Sequence, residues 1–233
     1  AKDTQLELPF KGNVDLKKLE QVLIEKGDKV PFIIMTITNN TAGGQPVSME
    51  NLRGVRALAD KYGKRVVYDS ARFVENAYFI KTREAGYADK TIKEIVKEIF
   101  SLADGMTMSS KKDGLVNMGG FIATKHEDWY EGAKGFCIRY EGFLTYGGMN
   151  GRDMDALAVG LDENTELETI ETRIKQVQYL AARLDEFGIP YQRPVGGHAL
   201  FVDASLVLTN VPKEEFPAQT LAIELYKEAG VRG

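Results

Sequence analysis

Short apolar runs alternate with helix-period stretches along the first half of the chain. Residues 31–38 (PFIIMTIT) and 66–68 have the length of buried strands, and a third apolar run occupies residues 106–108. Between the last two runs, apolar side chains recur three and four positions apart, at Ile92, Ile95, Val96 and Ile99. Strands that alternate with helices predict an α/β fold with a mostly parallel sheet flanked by helices.

Polar residues ahead of the helical stretches predict where each helix begins. Asn13, Ser48 and Asp89 are candidate N-caps, because their side-chain oxygens can accept hydrogen bonds from the first free backbone N–H groups. The helix after Ser48 is predicted to run through Leu58. Residues 116–123, an apolar run rich in glycine, are predicted to form a further strand.

The longest predicted helix divides the chain into a large part and a small part. Thr165 and Glu168 have the spacing of a capping box, and a helix from 165 to 188 would link two domains. The pattern beyond it predicts only a strand at 199–202 and a helix at 216–229. We therefore expect a partial large domain at 1–164 and part of a small α+β domain at 189–233.

Composition narrows the possible partners of the chain. The 233 residues are 43% hydrophobic and 27% charged, as in an ordinary globular protein. Acidic residues outnumber basic ones by 34 to 30 without a basic stripe, which argues against nucleic acid. No apolar run has the length of a membrane span, so no membrane partner and a cytoplasmic location are expected. The single cysteine and two histidines make a zinc site improbable.

Two adjacent lysines give the chain its strongest chemical signal. Lys111 and Lys112 follow the apolar run 106–108, and neighbouring ammonium groups lower each other's pKa. A lysine that is partly neutral at pH 7 is a nucleophile suited to forming a Schiff base with a carbonyl compound. Taken alone, such a pair is more often two solvated lysines on a surface loop.

An aspartate and an arginine follow the second predicted strand. Asp69 lies at the carboxyl end of that strand, where open parallel sheets place ligand-binding residues. A carboxylate there can keep a pyridine nitrogen protonated, and Arg72 offers a fixed cation for an anionic oxygen. A turn residue for Asp69 and a surface salt bridge for Arg72 are the alternatives that these residues leave open.

Several long strings match one known family almost from end to end. They are Asn40-Thr41-Ala42-Gly43-Gly44-Gln45-Pro46-Val47-Ser48, the run from Asp69 to Lys81 (DSARFVENAYFIK), Ser109-Ser110-Lys111-Lys112-Asp113, Tyr146-Gly147-Gly148, Gly196-Gly197-His198-Ala199 and Phe216-Pro217-Ala218-Gln219. With these strings the chain resembles the pyridoxal-phosphate-dependent β-eliminating lyases, the family of tryptophanase and tyrosine phenol-lyase.

The resemblance implies a fold and a set of site residues. The fold is that of the type I pyridoxal-phosphate enzymes, of which aspartate aminotransferase is an example. The resemblance implies that Lys112 is the Schiff-base lysine, that Ser109 and Lys111 are its neighbours on the phosphate side, and that Asp69 binds the pyridine nitrogen. It implies that Arg72 and Asn40 contact the phenolic oxygen of pyridoxal phosphate and that Tyr146 and His198 line the pocket. The backbone carbonyl of Asn117 is the implied ligand of a potassium ion.

The resemblance also implies a reaction and an assembly. In these enzymes the freed lysine takes the α proton of an aromatic amino acid, and loss of the side chain leaves pyruvate and ammonia. Residues 69–73 look more like tryptophanases, which release indole, whereas residues 116–121 look more like tyrosine phenol-lyases, which release phenol. We expect tryptophan first and tyrosine as the alternative. A homodimer or homotetramer is expected of the intact enzyme.

Other parts of the family's machinery have no counterpart in this sequence. The loop that binds the cofactor phosphate, the aromatic ring that stacks on the pyridine and the arginine that binds the substrate carboxylate belong to segments outside residues 1–233. The chain starts at Ala1 and resembles an excised segment, so we expect it to be inactive alone.

Parts of the sequence also fit two other functions. A non-catalytic module that only packs or oligomerises is one alternative for such a segment. Ser109 and Lys112 also have the spacing of acylating penicillin-recognising enzymes, but the Ser-Asp-Asn and Lys-Thr-Gly strings of that class do not occur.

Overall fold

Four short strands form one sheet in the order in which they occur along the chain. The computed structural model describes residues 3–41 and 43–232, so Ala42 of the glycine-rich motif lies outside the described residues. The strands are β1 (Phe32–Thr36), β2 (Arg65–Asp69), β3 (Gly105–Ser109) and β4 (Gly120–Thr124). Strands β1, β2 and β3 are parallel, and β4 runs antiparallel to β3. The predicted α/β fold with a mostly parallel sheet is confirmed.

Helices connect and flank the strands, as the periodicity predicts. They are α1 (Leu16–Lys26), α2 (Met49–Lys61), α3 (Phe73–Arg83), α4 (Ile92–Ser101), α5 (Glu127–Tyr140), α6 (Gly151–Glu163), α7 (Leu167–Glu186), α8 (Ala204–Val207) and α9 (Pro217–Ala229). Within the described part of the chain, none of them is both long and apolar enough to cross a membrane.

One predicted helix cap is right and three are wrong. The Ser48 side chain accepts the N–H of Asn51 and caps α2 as predicted. Asp15, two residues after Asn13, caps α1. Helix α4 begins after Thr91, not after Asp89, with a full capping box. In these two cases a second polar residue lies two positions further on, and only the backbone conformation selects between such neighbours.

The third wrong cap is the predicted capping box at the start of α7. Glu166 is the N-cap residue and makes no side-chain cap hydrogen bond. The Thr165 hydroxyl instead donates to the Asp162 carbonyl oxygen, at the end of α6. The Thr165 hydroxyl is therefore a donor within the short turn between α6 and α7, and it makes no cap hydrogen bond to α7.

Two predicted strands are shorter than their apolar runs. Strand β1 covers only 32–36 of the run 31–38, and its side chains alternate between buried and exposed positions. Strand β4 begins at Gly120, four residues later than predicted. Leu115 has φ +55° and residues 116–118 form a bend, so the backbone ahead of Gly120 is not extended.

The core lies where α2, α3, α4 and α7 cover the sheet. Helix α3 is buried from Phe73 to Ile80, which explains its nearly continuous apolar sequence. Ile170 and Ile174 of α7 belong to the same core cluster and are fully buried. Helix α7 is thus packed against α3 and positions its own polar side chains next to those of α3.

The segment after α7 folds back onto the first half of the chain. Of the predicted strand at 199–202, only Val202 pairs, in an isolated antiparallel bridge with Tyr191. The Gln45 side chain donates to the Pro194 carbonyl oxygen at 2.7 Å. The predicted division at 165 and 188 into two partial domains and a linking helix stays a prediction.

Candidate active site

The carboxyl ends of three parallel strands carry most of the predicted site residues. Asn40 follows β1, Asp69 ends β2 and Ser109 ends β3. Because β1, β2 and β3 are parallel neighbours, these ends lie along one edge of the sheet. This edge is where open α/β sheets bind their ligands.

Lys112 lies in the turn after β3 and is half-buried. Its Nζ donates to the Ser109 hydroxyl oxygen at 2.8 Å. Burial lowers the pKa of Lys112, and the positive charges of Arg72 and then Lys111 lower it further, against the opposing charge of Asp69. Lys111 lowers this pKa as the adjacent lysines predict, but burial and Arg72 have larger effects. The amine is free of its proton more often than that of an exposed lysine.

Asp69 and Arg72 each present an unpaired charge beside Lys112. Within residues 3–41 and 43–232, neither the Asp69 carboxylate nor the Arg72 guanidinium has a hydrogen-bond or ion-pair partner. The Arg72 backbone is fixed instead, since its N–H donates to the Ile37 carbonyl oxygen at 3.2 Å. A nucleophilic amine, a carboxylate and a guanidinium are the groups that would bind the aldehyde, the pyridine nitrogen and the phenolate oxygen of pyridoxal phosphate. The residues present therefore fit this cofactor.

His198 connects the small part of the chain to the sheet edge. Its Nδ1 lies 2.8 Å from Glu75 Oε1, and its Nε2 lies 2.9 Å from Asn40 Oδ1. Two glycines make this approach possible: a Cβ on Gly197 would come within 2.3 Å of Glu75, and a Cβ on Gly44 within 2.8 Å of the imidazole. The glycine pairs of both sequence motifs thus allow close packing around His198.

A buried ion network lies directly behind Lys112. Asp113 Oδ2 accepts the Val74 N–H at 2.7 Å, at the start of α3, and Oδ1 accepts from Arg173 Nη2 of α7 at 2.8 Å. The same guanidinium lies 3.8 Å from Glu75 Oε2. Burial raises the pKa of Asp113, and Arg173 opposes that shift. The network fixes the residue after Lys112 to two core helices.

Sequence reasoning missed the three charged members of this network. Glu75 is a charged residue within an otherwise apolar helical stretch, which is a usable signal for a buried, paired carboxylate. Asp113 follows the lysine pair without any distinguishing pattern. Arg173 lies on a helix with many other charged residues, and only the packing of α7 against α3 reveals its role.

Three predicted site residues have no described contact with the group around Lys112. Tyr146 is exposed in the turn between α5 and α6, with its ring 6.0 Å from that of Phe143. Lys111 and Asn117 are exposed as well. No cluster of three or more His, Cys, Asp or Glu side chains that could hold a metal occurs in the described chain. The potassium site through the Asn117 carbonyl stays a prediction.

A cavity of about 460 Å³ lies between the sheet and the helices α4 and α6. Its lining is mostly apolar and includes Phe73, Phe100, Met108, Phe121 and Leu161. None of the predicted site residues lines it.

Comparison with known sequences identifies the family. Residues 1–232 match the family model described as Beta-eliminating lyase. A probable beta-eliminating lyase of Trichomonas vaginalis is 75% identical over the whole chain, which covers 51% of that relative. A tyrosine phenol-lyase of Pasteurella multocida is 53% identical, and the match covers 100% of this chain and 51% of that relative. A tryptophanase of Salinibacter ruber is 52% identical, and the match covers 97% of this chain and 48% of that relative. The chain spans about half the length of the curated relatives it matches.

Comparison with solved structures finds proteins that share the fold of this chain. A structure from Exiguobacterium sp. 255-15, provisionally described as an aromatic amino acid β-eliminating lyase/threonine aldolase, matches with a TM-score of 0.56. It is 17% identical, and the match covers 80% of this chain and 50% of that one. At this identity the likeness concerns the fold alone. The long sequence match, the shared fold and the cofactor-compatible sheet edge agree: the chain belongs to the β-eliminating lyase family.

Proposed function

We propose that the chain is part of a pyridoxal-phosphate-dependent lyase that splits an aromatic amino acid by α,β-elimination. The observation that carries this proposal is the Lys112 amine, whose pKa is lowered by burial, Arg72 and Lys111. An amine beside an unpaired carboxylate and an unpaired guanidinium can attach an aldehyde cofactor covalently. A surface lysine pair would have neither the burial nor these neighbours.

Each residue at the sheet edge has a proposed task. Bound pyridoxal phosphate would supply an electron-withdrawing ring that makes the substrate α proton acidic. Lys112 Nζ would hold the aldehyde carbon of the cofactor, and as a free amine it would serve as the general base for the α proton. Ser109 orients this amine through its hydroxyl, and Asp69 keeps the pyridine nitrogen protonated. Arg72 and Asn40 bind the phenolic oxygen.

Further roles follow from the family resemblance and remain proposals. Lys111 contributes positive charge on the phosphate side, and Tyr146 and His198 line the substrate pocket. The Asn117 backbone carbonyl binds potassium, a cation that prefers oxygen ligands. The intact enzyme is a cytoplasmic homodimer or homotetramer. With these assignments the exposed residues Lys111, Asn117 and Tyr146 would contact the cofactor, the ion or a partner subunit.

Tryptophan is the proposed substrate, with indole, pyruvate and ammonia as products. The relatives are named both tryptophanase and tyrosine phenol-lyase, at nearly equal identity. Tyrosine, with phenol as its product, is therefore the second candidate. Indole and phenol release by the intact protein, measured with each amino acid, distinguish the two. We expect the isolated 233-residue chain to release neither.

Replacement of Lys112 tests the covalent attachment. The intact protein is incubated with pyridoxal phosphate, reduced with borohydride and mapped by peptide mass. We expect the adduct on the peptide that contains Lys112, and its loss in Lys112→Ala. The matched control is Lys111→Ala, which removes a neighbouring amine and should keep the adduct. An adduct that persists in Lys112→Ala would contradict the proposal.

A further inference from the structure

His198 has oxygen atoms facing both of its ring nitrogens. Nδ1 lies 2.8 and 3.1 Å from the two oxygens of Glu75, and Nε2 lies 2.9 Å from Asn40 Oδ1. A carboxylate oxygen and an amide oxygen can only accept hydrogen bonds, so with the Asn40 amide oriented as it is here both ring nitrogens are donors. In this arrangement the ring is an imidazolium.

The buried charges around the ring favour the same state. The side chains of Glu75 and Asp113 are 0% and 1% exposed, and Arg173 is the guanidinium next to both. Thr38 donates its hydroxyl to Glu75 Oε1 at 2.8 Å but carries no charge. When both carboxylates are ionised, one guanidinium leaves one negative charge uncompensated, which is costly in a low-dielectric interior. A positive His198 balances it.

The state of the ring determines which end of Asn40 is available to a ligand. When Nε2 donates to Oδ1, the Nδ2 group of Asn40 remains, and among the described residues nothing accepts from it. A neutral ring that keeps its proton on Nδ1 for Glu75 has an unprotonated Nε2, which would bind Nδ2 and leave Oδ1 outward. An outward NH₂ group attracts an anionic oxygen, whereas an outward carbonyl repels it.

We propose that Glu75 and His198 are positioning residues that hold the amide of Asn40 with its NH₂ group outward, as a hydrogen-bond donor to the phenolic oxygen of pyridoxal phosphate. This inference rests on the proposed function, in which Asn40 contacts that oxygen. Glu75 and His198 act only through Asn40. The glycines at 44 and 197 serve this arrangement, because larger residues would displace the imidazole or the carboxylate.

The first test uses the intact protein without cofactor. Histidine labelled with ¹⁵N is incorporated, and the resonances of His198 are assigned by their loss in His198→Gln. We expect both ring nitrogens to be protonated at pH 7 in the wild type. In Glu75→Gln the negative charge is gone, and we expect a neutral ring. A neutral His198 ring in the wild-type apoprotein would overturn the proposal.

The second test measures whether Glu75 acts through Asn40. Pyridoxal phosphate is bound to the intact protein, and its visible absorbance is titrated with pH. Loss of a donor to the phenolate oxygen destabilises the deprotonated chromophore, so the midpoint in Glu75→Gln should rise by about one pH unit, the size of one hydrogen bond to a charged group. In an Asn40→Ala background the same change should produce no further rise. An undiminished rise in that background would contradict the proposal.

Two matched variants separate positioning from general packing. His198→Gln keeps a group that can donate near the position of Nε2, whereas His198→Asn is too short to reach Asn40. We expect the absorbance midpoint to stay closer to the wild-type value in His198→Gln. Thr38→Val removes another contact to Glu75 without touching His198, and the midpoint should not move. Equal shifts in all three variants would indicate a structural role only.

Failure of the proposed function has a different signature. A wild-type protein with an imidazolium at His198 that takes up no pyridoxal phosphate would contradict the proposed function and the role of Asn40 toward the cofactor. The protonated state of His198 beside Glu75 would then still stand, because the nitrogen resonances measure it in the apoprotein.

Discussion

Two regions of the chain meet at Lys112 and differ in how they are held. On one side, Asp113 is buried and bonded to α3 and α7. On the other side, residues 115–149 form β4, α5 and their turns, where most side chains are exposed and α5 contains no buried residue. The buried side positions Lys112 and Arg72 by contacts within this chain. The exposed side carries Asn117 and Tyr146, whose proposed roles depend on groups outside the described contacts.

The largest expected effect breaks the buried side at its centre. Asp113→Ala removes the acceptor of the Val74 N–H and leaves Arg173 without its closest carboxylate. Loss of one partner of a buried ion pair costs about 3–5 kcal/mol of unfolding free energy. The control is Asp128→Ala, which breaks the exposed Arg65–Asp128 pair at α5 and should cost far less, because water screens that pair. Urea unfolding followed by circular dichroism measures both, and equal losses would contradict the comparison.

A second pair of variants compares packing in the two regions. Ile170 of α7 is fully buried in the core, so Ile170→Ala should lower the unfolding free energy by about 2–5 kcal/mol. Ile138 of α5 is 58% exposed, and Ile138→Ala should change it by less than about 0.5 kcal/mol. The same urea titration measures the unfolding free energy of both variants. A large loss in Ile138→Ala would show that α5 is buried in the protein as it assembles in solution.

Glycine substitutions should have opposite signs in the two regions. A Cβ at Gly197 would come within 2.3 Å of Glu75, so Gly197→Ala should cost about 1–3 kcal/mol. Gly135 lies inside α5 with nothing within 4 Å of such a Cβ, and Gly135→Ala should stabilise by about 0.5–1 kcal/mol. Thermal unfolding of both variants provides the measurement. Stabilisation by Gly197→Ala would argue against the close packing at His198.

The smallest expected effect sharpens the electrostatic difference between the regions. Arg72 lowers the pKa of Lys112, so Arg72→Gln should raise it. The rate of Lys112 acylation in the apoprotein, measured against pH by peptide mapping, should then reach its midpoint at a higher pH. Arg139→Gln removes an exposed charge on α5 and should leave the midpoint in place. A shift in the control variant alone would contradict a local effect of Arg72.

Much of the fold could be predicted because its elements repeat their pattern over many residues. The stripe at Ile92, Ile95 and Ile99 became the buried face of α4, and the family strings identified the lyase fold. Helix starts were less predictable. Asp15 and Thr91 compete with Asn13 and Asp89 as caps, and each pair differs by a shift of two residues that costs little in local energy.

The candidate site could be predicted where the type of a side chain and its position after a strand indicate a chemical role. Lys112, Asp69 and Arg72 follow strands in the sequence, and the parallel sheet brings them to one edge. The network of Glu75, Asp113 and Arg173 could not be predicted in the same way. Its members are up to about a hundred positions apart, and their pairing depends on how α7 packs against α3.

The sequence by itself determined most of the elements, the family and the candidate site lysine, because periodicity, strand length and motif identity are local properties of the chain. Only the tertiary structure decided that burial and Arg72 outweigh Lys111 in lowering the pKa of Lys112, and that His198 reaches Asn40. Desolvation and hydrogen bonding depend on which distant atoms displace water from a group. That displacement is a property of packing, which sequence order does not contain.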